Sequence, residues 1–392
     1  MVKVGIDAIA FYTPNYCLDL NILAENYSID VNKFYIGLGQ KKISIPPPDE
    51  DIVTMALEAA SKVLEHVDKN EIDFLIFATE TSIDQSKSAG IYVHKLLDLP
   101  SRCRNIEIKQ ACYSGTAGLQ IALSMIASNS SKKILLITSD IARYGIGTSG
   151  ESSQGSGAVA MIISKNPRII SIEPESGFYT EDSMDFWRPN YLKDAIVDGK
   201  YSCKLYIDLA IKTWKQYLEL SKRNFDDHAY FCYHTAIPRL VEKTHQALRE
   251  FSNLPLLSKT ELEIDLGASL KYSRITGNCY TASLYLSLVS LLDNVDNNIE
   301  GKYIGFYSYG SGSVAEFFSG IIQENYLSLL SKDYHKKMLD TRIELSKDEY
   351  ENFYRFQYNM DSGNIIIPKY KNSNYRLEAI VEHKRIYTKS IL

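Results

Sequence analysis

The feature that most limits what this chain can fold into is an internal repeat. Four elements recur in the same order in the two halves of the 392-residue sequence. An apolar run ending in a polar residue comes first: residues 74–78 lead to Glu80, and residues 230–233 lead to His234. A turn of small residues opening a helix comes second, at Ala111-Cys112-Tyr113-Ser114-Gly115 and at Gly277-Asn278-Cys279-Tyr280-Thr281. A further apolar run follows, at 134–139 and at 304–308. A Gly/Ser turn and a last strand close each half, at Gly155-Ser156-Gly157 and at Gly310-Ser311-Gly312. The spacing agrees as well as the order: Cys112 precedes Ser139 by 27 residues, and Asn278 precedes Ser308 by 30. Chains that alternate strands and helices repeat such elements by chance, but matched order and spacing favour a duplicated domain with its active site where the halves meet.

The apolar runs at 74–78, 134–138, 158–163, 230–233 and 303–307 carry no alternation, as expected of strands covered on both faces. Helical periodicity falls at 52–66, 85–98, 113–127, 204–221 and 280–292. The alternation predicts a layered α/β fold. We divide it into a first half, 1–166, and a second half, 167–392. Residues 322–392 are charged and Tyr-rich, with helices expected at 335–342 and 347–355 and a strand at 364–368. We read them as an accessory layer on the second half.

Composition excludes several classes. With 43 Lys+Arg against 48 Asp+Glu, the net charge is −5, which gives no basic field for nucleic acid. No run of about 18 apolar residues could cross a membrane. The six cysteines form no Cys-x-x-Cys pair, so neither a disulfide framework nor a structural zinc site is indicated. A cytoplasmic protein with reduced thiols is expected.

Cys112 is the leading nucleophile candidate. A thiol just before a helix gains from the dipole and from free N–H groups, which favour thiolate and can form an oxyanion hole. Burial as an inert structural cysteine is the competing reading. Glu80, after an apolar strand, can be desolvated and raised toward neutrality, as a base working on carbon needs; a solvated loop carboxylate is the plainer alternative. His234 can donate to a carbonyl as charge develops, or be a core histidine satisfied by backbone. The other six histidines sit in helical or charged contexts and are expected at the surface. Asn278 can hold a carbonyl or cap a helix. The Gly310-Ser311-Gly312 turn can present N–H groups or be a plain hairpin. No phosphate loop, dinucleotide fingerprint or metal-ligand cluster is present. A Cys–Glu–His–Asn set over two half-domains suits carbon–carbon bond formation between thioesters.

These motifs resemble the hydroxymethylglutaryl-CoA (HMG-CoA) synthase family, bacterial type, of the thiolase superfamily. The run from Gln110 to Gly118 is similar to its nucleophile motif. Ala78-Thr79-Glu80-Thr81, Asp185-Phe186-Trp187-Arg188-Pro189, Gly277-Asn278-Cys279-Tyr280-Thr281 and the run from Tyr307 to Phe317 complete a match over nearly the whole chain. The resemblance implies a thiolase-like αβαβα sandwich of duplicated half-domains, usually dimeric. It also implies Cys112 acetylated by acetyl-CoA, Glu80 as the α-proton base, and acetoacetyl-CoA held by His234 and Asn278. Backbone N–H groups at Cys112 and Ser311, beside Gly310, would stabilise oxyanions, and Tyr144 would lie near the acyl pocket. No metal or redox cofactor is implied, since the thioesters are themselves the substrates. The pathway implied is that of mevalonate and isoprenoids.

Two departures bear on the thioester carrier. Ala236 stands where the family usually has Pro, so the CoA contacts assigned to Arg239 and Lys243 rest on an altered loop. Gly150-Glu151-Ser152-Ser153-Gln154-Gly155 replaces Gly-Glu-Pro-Thr-Gln-Gly. The alternative activity is polyketide β-branching on acyl-carrier-protein thioesters, which the run from Lys109 to Gly118 also resembles. The 144–158 loop and Val197-Asp198-Gly199 look more like the mevalonate enzymes. A noncatalytic thiolase-fold partner is disfavoured by the intact Cys112, Glu80 and His234.

Overall fold

A computed structural model describes residues 2–129, 131–358, 363–370 and 373–389. Nine strands form its main ladder. They are β1 (Val4–Tyr12), β2 (Ile72–Ala78), β3 (Arg104–Ile108), β4 (Lys133–Ala142), β5 (Gly155–Lys165), β6 (Ile170–Thr180), β7 (His228–Tyr233), β8 (Tyr303–Gly310) and β9 (Val314–Ile322). Their spatial order is β7-β8-β9-β6-β1-β5-β4-β2-β3. From one end, β7 runs parallel to β8, then β9 and β6 follow antiparallel. From the other, β2 runs parallel to β4, then β5 and β1 follow antiparallel. The two series meet only through Gly5–Ser171 and Ile6–Ile170 on β1 and β6. The repeat is therefore visible as topology, with β3 an extra edge strand on the first series.

The central strands are apolar on both faces because helices cover them. Helix α1 (Ile52–Val63) begins with a capping box in which Asp51 accepts from the N–H groups of Val53 and Thr54. Helix α2 (Ala89–Leu96) starts later than its periodicity implies, because Ser88 caps it by accepting from Gly90 N. Helix α3 (Ser114–Ala127) follows the Cys112 turn. Helix α4 (Gly199–Ser221) starts earlier than expected, where Asp198 accepts from Tyr201 N. Helix α5 (Pro238–Phe251) was not indicated by the sequence reading. Helix α6 (Ser283–Asn294) is buried at every position through Asp293 and runs between the layers. It meets α3 at Gly115, where an added Cβ would lie 2.9 Å from the Tyr285 ring.

The C-terminal region departs from expectation. It packs on the first half as well as on the second, where His335 meets Asp293 and Arg342 donates to Ile275 O. Arg376 pairs with Asp49 at 3.2 Å, Arg385 with Asp51 at 3.1 Å, and Asn374 donates to Glu58. These carboxylates are buried in the first half, and buried charges require partners. The helix expected at 335–342 spans Lys332–Asp340, and α7 (Lys347–Arg355) has the expected bounds. The expected strand 364–368 pairs only at Ile365–Ile366, against Tyr375–Val381. Of the histidines expected at the surface, His228, His245 and His335 are buried. His335 is held between Asp293 (2.7 Å) and the Phe11 N–H (3.2 Å).

Candidate active site

Strand ends and turns place the candidate residues, setting Cys112 directly against Glu80 and Asn278 against Tyr144. Cys112 lies between β3 and α3, next to Ala111, whose φ is +44°. Its thiol donates to Glu80 Oε1 at 2.9 Å, so the first two candidates are in direct contact. Glu80 follows β2, held by Asp140 at the end of β4. Asp140 is fully buried. Its Oδ1 accepts from Thr79 Oγ1, Glu80 N, Thr81 N and Thr81 Oγ1 at 2.6–3.0 Å. Its Oδ2 accepts from Thr281 N at 3.1 Å, which ties the first half to the Asn278 turn. Arg188 donates to the Glu80 carbonyl.

Burial, with the nearby Asp140 charge, pushes the Glu80 carboxyl up to about 8. Burial and the Glu80 charge also push the Cys112 thiol up. This reverses the expectation that the helix end would lower it: a desolvated thiol one hydrogen bond from a carboxylate holds its proton.

On the second half, His234 follows β7 and is buried. Its backbone N–H donates to Tyr307 O, and its own carbonyl accepts from Tyr206 OH at 2.7 Å. Its Nδ1 is buried without a hydrogen-bond partner. Burial pulls the imidazole down to about 3, so at neutral pH it is an uncharged donor. Asn278 Nδ2 donates to Tyr144 OH at 3.0 Å, while its Oδ1 accepts from Tyr280 N and Ser283 Oγ at 2.9 Å. Its amide is thus fixed, but it does not cap α6, whose N-cap is Ala282. Tyr144, Phe186 and Tyr280 stack edge to face with centroids 5.7–6.0 Å apart.

The Gly310-Ser311-Gly312 turn joins β8 to β9 against the nucleophile turn. A Cβ on Gly310 would come within 2.5 Å of Tyr113 N. Asp185 pins this turn by accepting from Gly312 N (3.1 Å) and Tyr309 OH (2.6 Å). Gln110 Nε2 reaches Ser311 O at 3.3 Å. Arg239 and Lys243 sit on the first turns of α5. Arg239 pairs with Glu242 and donates to Ile36 O, whereas Lys243 is exposed. Pro238, two places beyond Ala236, is the first residue of α5, where a missing N–H costs nothing. An open cleft of about 830 Å³ leads to Glu80 past Gln110, Trp187 and Arg188. Among the described residues no group of three or more His, Cys, Asp or Glu side chains is arranged to hold a metal. No described helix is long and apolar enough to cross a membrane.

Models for the N-terminal and C-terminal parts of hydroxymethylglutaryl-coenzyme A synthase match residues 2–168 and 250–388. The hydroxymethylglutaryl-CoA synthase of Enterococcus faecalis is 38% identical over 98% of this chain and 100% of its own. The chain belongs to the hydroxymethylglutaryl-CoA synthase family. A crystal structure of an HMG-CoA synthase complexed with CoA superposes with a TM-score of 0.92 at 40% identity, over 99% of this chain and 100% of the other. The fold is accordingly the thiolase-like sandwich of that family. The polyketide biosynthesis 3-hydroxy-3-methylglutaryl-ACP synthase of Bacillus subtilis (strain 168) is 34% identical, over 90% of this chain and 88% of its own.

Sequence reading missed Asp140 and gave Asp185 no role, although both shape the site. Asp140 follows Ser139 at a strand end that the repeat had already marked. Asp185 opens a motif quoted for the resemblance. What neither position shows in sequence is the number of donors that converge on each carboxylate.

Proposed function

We propose that this chain is an acyltransferase that condenses acetyl-CoA with acetoacetyl-CoA, giving 3-hydroxy-3-methylglutaryl-CoA and free CoA. The observation that carries this is the 2.9 Å contact between the Cys112 thiol and a Glu80 carboxylate raised to about 8. Glu80 takes the thiol proton as sulfur attacks the acetyl thioester, and CoA leaves with a proton. Acetyl on Cys112 sets its methyl group beside the same carboxylate. Removal of a methyl proton gives an enolate, which attacks the acceptor ketone. Neutral His234 and Asn278 donate to the acceptor, and N–H groups at Cys112 and Ser311 receive the charge on the acetyl oxygen. Water then cleaves the thioester at Cys112 and frees the sulfur. Gly310 keeps the turn close, and Tyr144 orients Asn278. No resident cofactor enters these steps. Lys243, with Arg239 beside it, is assigned to the CoA phosphates.

We also divide the chain at 166/167, which falls between β5 and β6, and read it as a homodimer built on the free edge of β3. The six cysteines are all free thiols, which supports a cytoplasmic setting. The reaction is the one used in mevalonate and isoprenoid synthesis. Intact-mass spectra after brief exposure to acetyl-CoA, and separately to an acetylated carrier protein, test the donor. Acetyl on Cys112 from CoA is expected. Acetylation only by the carrier protein would transfer the chain to the β-branching reaction, as its likeness to the Bacillus subtilis protein allows. No adduct from either donor would overturn the nucleophile assignment.

A further inference from the structure

The C-terminal region reaches the acyl pocket through two tyrosines of α7. Tyr144 lies in a loop whose backbone is held from behind. Tyr144 N donates to Gln154 Oε1 at 2.8 Å. Gln154 Nε2 donates to Tyr350 OH at 3.1 Å, and Tyr350 OH donates to Glu151 Oε1 at 2.9 Å. Gln154, Tyr350 and Glu151 are all buried. The direction of this chain is fixed: a backbone N–H needs the amide oxygen, so the amide nitrogen must face Tyr350. One residue along the loop, Gly145 N donates to Tyr354 OH at 2.9 Å, and that hydroxyl donates to Asp194 Oδ1 at 2.8 Å. Arg143 donates to Tyr354 O and lies over the Tyr354 ring at 4.7 Å. Three consecutive residues, Arg143 to Gly145, thus take partners from α7 directly or through Gln154.

We infer that Tyr350 and Tyr354 are positioning residues for the acceptor side of the site, acting through Tyr144 on Asn278. The inference rests on the condensation reading above. Asn278 has one amide N–H bond, to Tyr144 OH, and that hydroxyl is carried by the loop α7 holds. Among the described residues, the hydrogen bonds that hold Glu80 beside Cys112 come from Asp140 and Arg188, and none comes from α7. Removing a phenol oxygen from α7 therefore loosens Asn278 and spares acetylation. Displacing a positioned group by about 1 Å can cost up to about 10²-fold in rate.

The test separates the two stages in Tyr350→Phe and Tyr354→Phe. Acetylation of Cys112 is followed by quenched-flow mass spectrometry. KM for acetoacetyl-CoA and kcat are measured alongside. Both variants are expected to acetylate within about twofold of the wild type, to raise KM for the acceptor, and to lose about tenfold in kcat/KM for it. Tyr354 is less buried, so its variant guards against loss of the fold at Tyr350. Equal losses in both stages, or no change in either, would overturn the inference. A wild type that fails to acetylate would instead overturn the underlying function.

Discussion

For Glu80, the proposed base, one environment would set both activity and stability. Only the ionised carboxylate can accept a proton. With Glu80 at about 8, kcat/KM is expected to rise through a step centred near that pH. A flat profile between about pH 6.5 and 9 would remove Glu80 as the base. Its stability effect has the opposite sign. An ordinary glutamate titrates near 4.5, so between that value and about 8 the native protein keeps a proton that the unfolded chain has released. Stability therefore falls as pH rises through that window. Glu80→Gln abolishes this titration. The variant should gain on the wild type by about 1–2 kcal/mol at alkaline pH, after allowing for solvent at a carboxylate that is not fully enclosed, and gain little near pH 5. Denaturant midpoints at the two pH values measure this. The same substitution should lower the condensation rate by about 10²–10⁴-fold. A variant that is both less stable at alkaline pH and still active would contradict the desolvated-base account.

At the scale of elements, what the sequence made legible was decided by burial on two faces. Strands β2, β4 and β5 are continuous apolar runs because helices cover both sides, and such runs identify themselves. Strand β6 was missed for a local reason. Pro174 and Gly177 lie within it, and its middle carries Glu173 and Glu175. The ladder with β9 shifts register between Phe318 and Gly320, opposite this stretch, which lets the proline sit in a strand. Gly177 is needed because α4 passes so close that a Cβ would lie 2.0 Å from Thr213 O. The catalytic candidates were legible because they end strands or open helices in both repeats. Asp140, Asp185 and the α7 tyrosines were not, because their roles exist only through contacts distant in sequence. The β8–β9 turn offers a direct test of element contact. Gly310→Ala forces a methyl group against the backbone of Tyr113 and Gln110, 2.5 and 2.7 Å away. Activity should fall about 10–100-fold, with about 1–3 kcal/mol of stability lost. Steady-state kinetics with a parallel thermal melt distinguish this from unfolding, and unchanged kinetics would separate the turn from the nucleophile.

For the whole molecule, the repeat leaves one asymmetry that a second copy can resolve. The ladder closes on the second half with β7 and on the first with β3, the strand that has no counterpart. Strand β3 has a paired edge toward β2 and an open one, and Ile106 on it is 45% exposed. Ile91 on α2 and Ile121 on α3 are also exposed. Open strand edges with apolar side chains are templates for pairing. Two copies meeting antiparallel at β3 would extend each ladder under twofold symmetry, with each isoleucine patch covered by its equivalent. Such a contact would also brace the site, since Glu107 on β3 accepts from Ser82 Oγ and Ala89 N on either side of the loop that follows Glu80. Sedimentation at micromolar concentration should therefore give twice the 44.4 kDa chain mass. Ile106→Glu should place two like charges across the twofold axis and yield a monomer. That monomer should keep its fold by circular dichroism but lose activity, with Glu80 no longer braced. A wild type that sediments as a monomer, or an Ile106→Glu protein that remains dimeric, would put the interface elsewhere and leave the 81–88 loop to be held by its own chain alone.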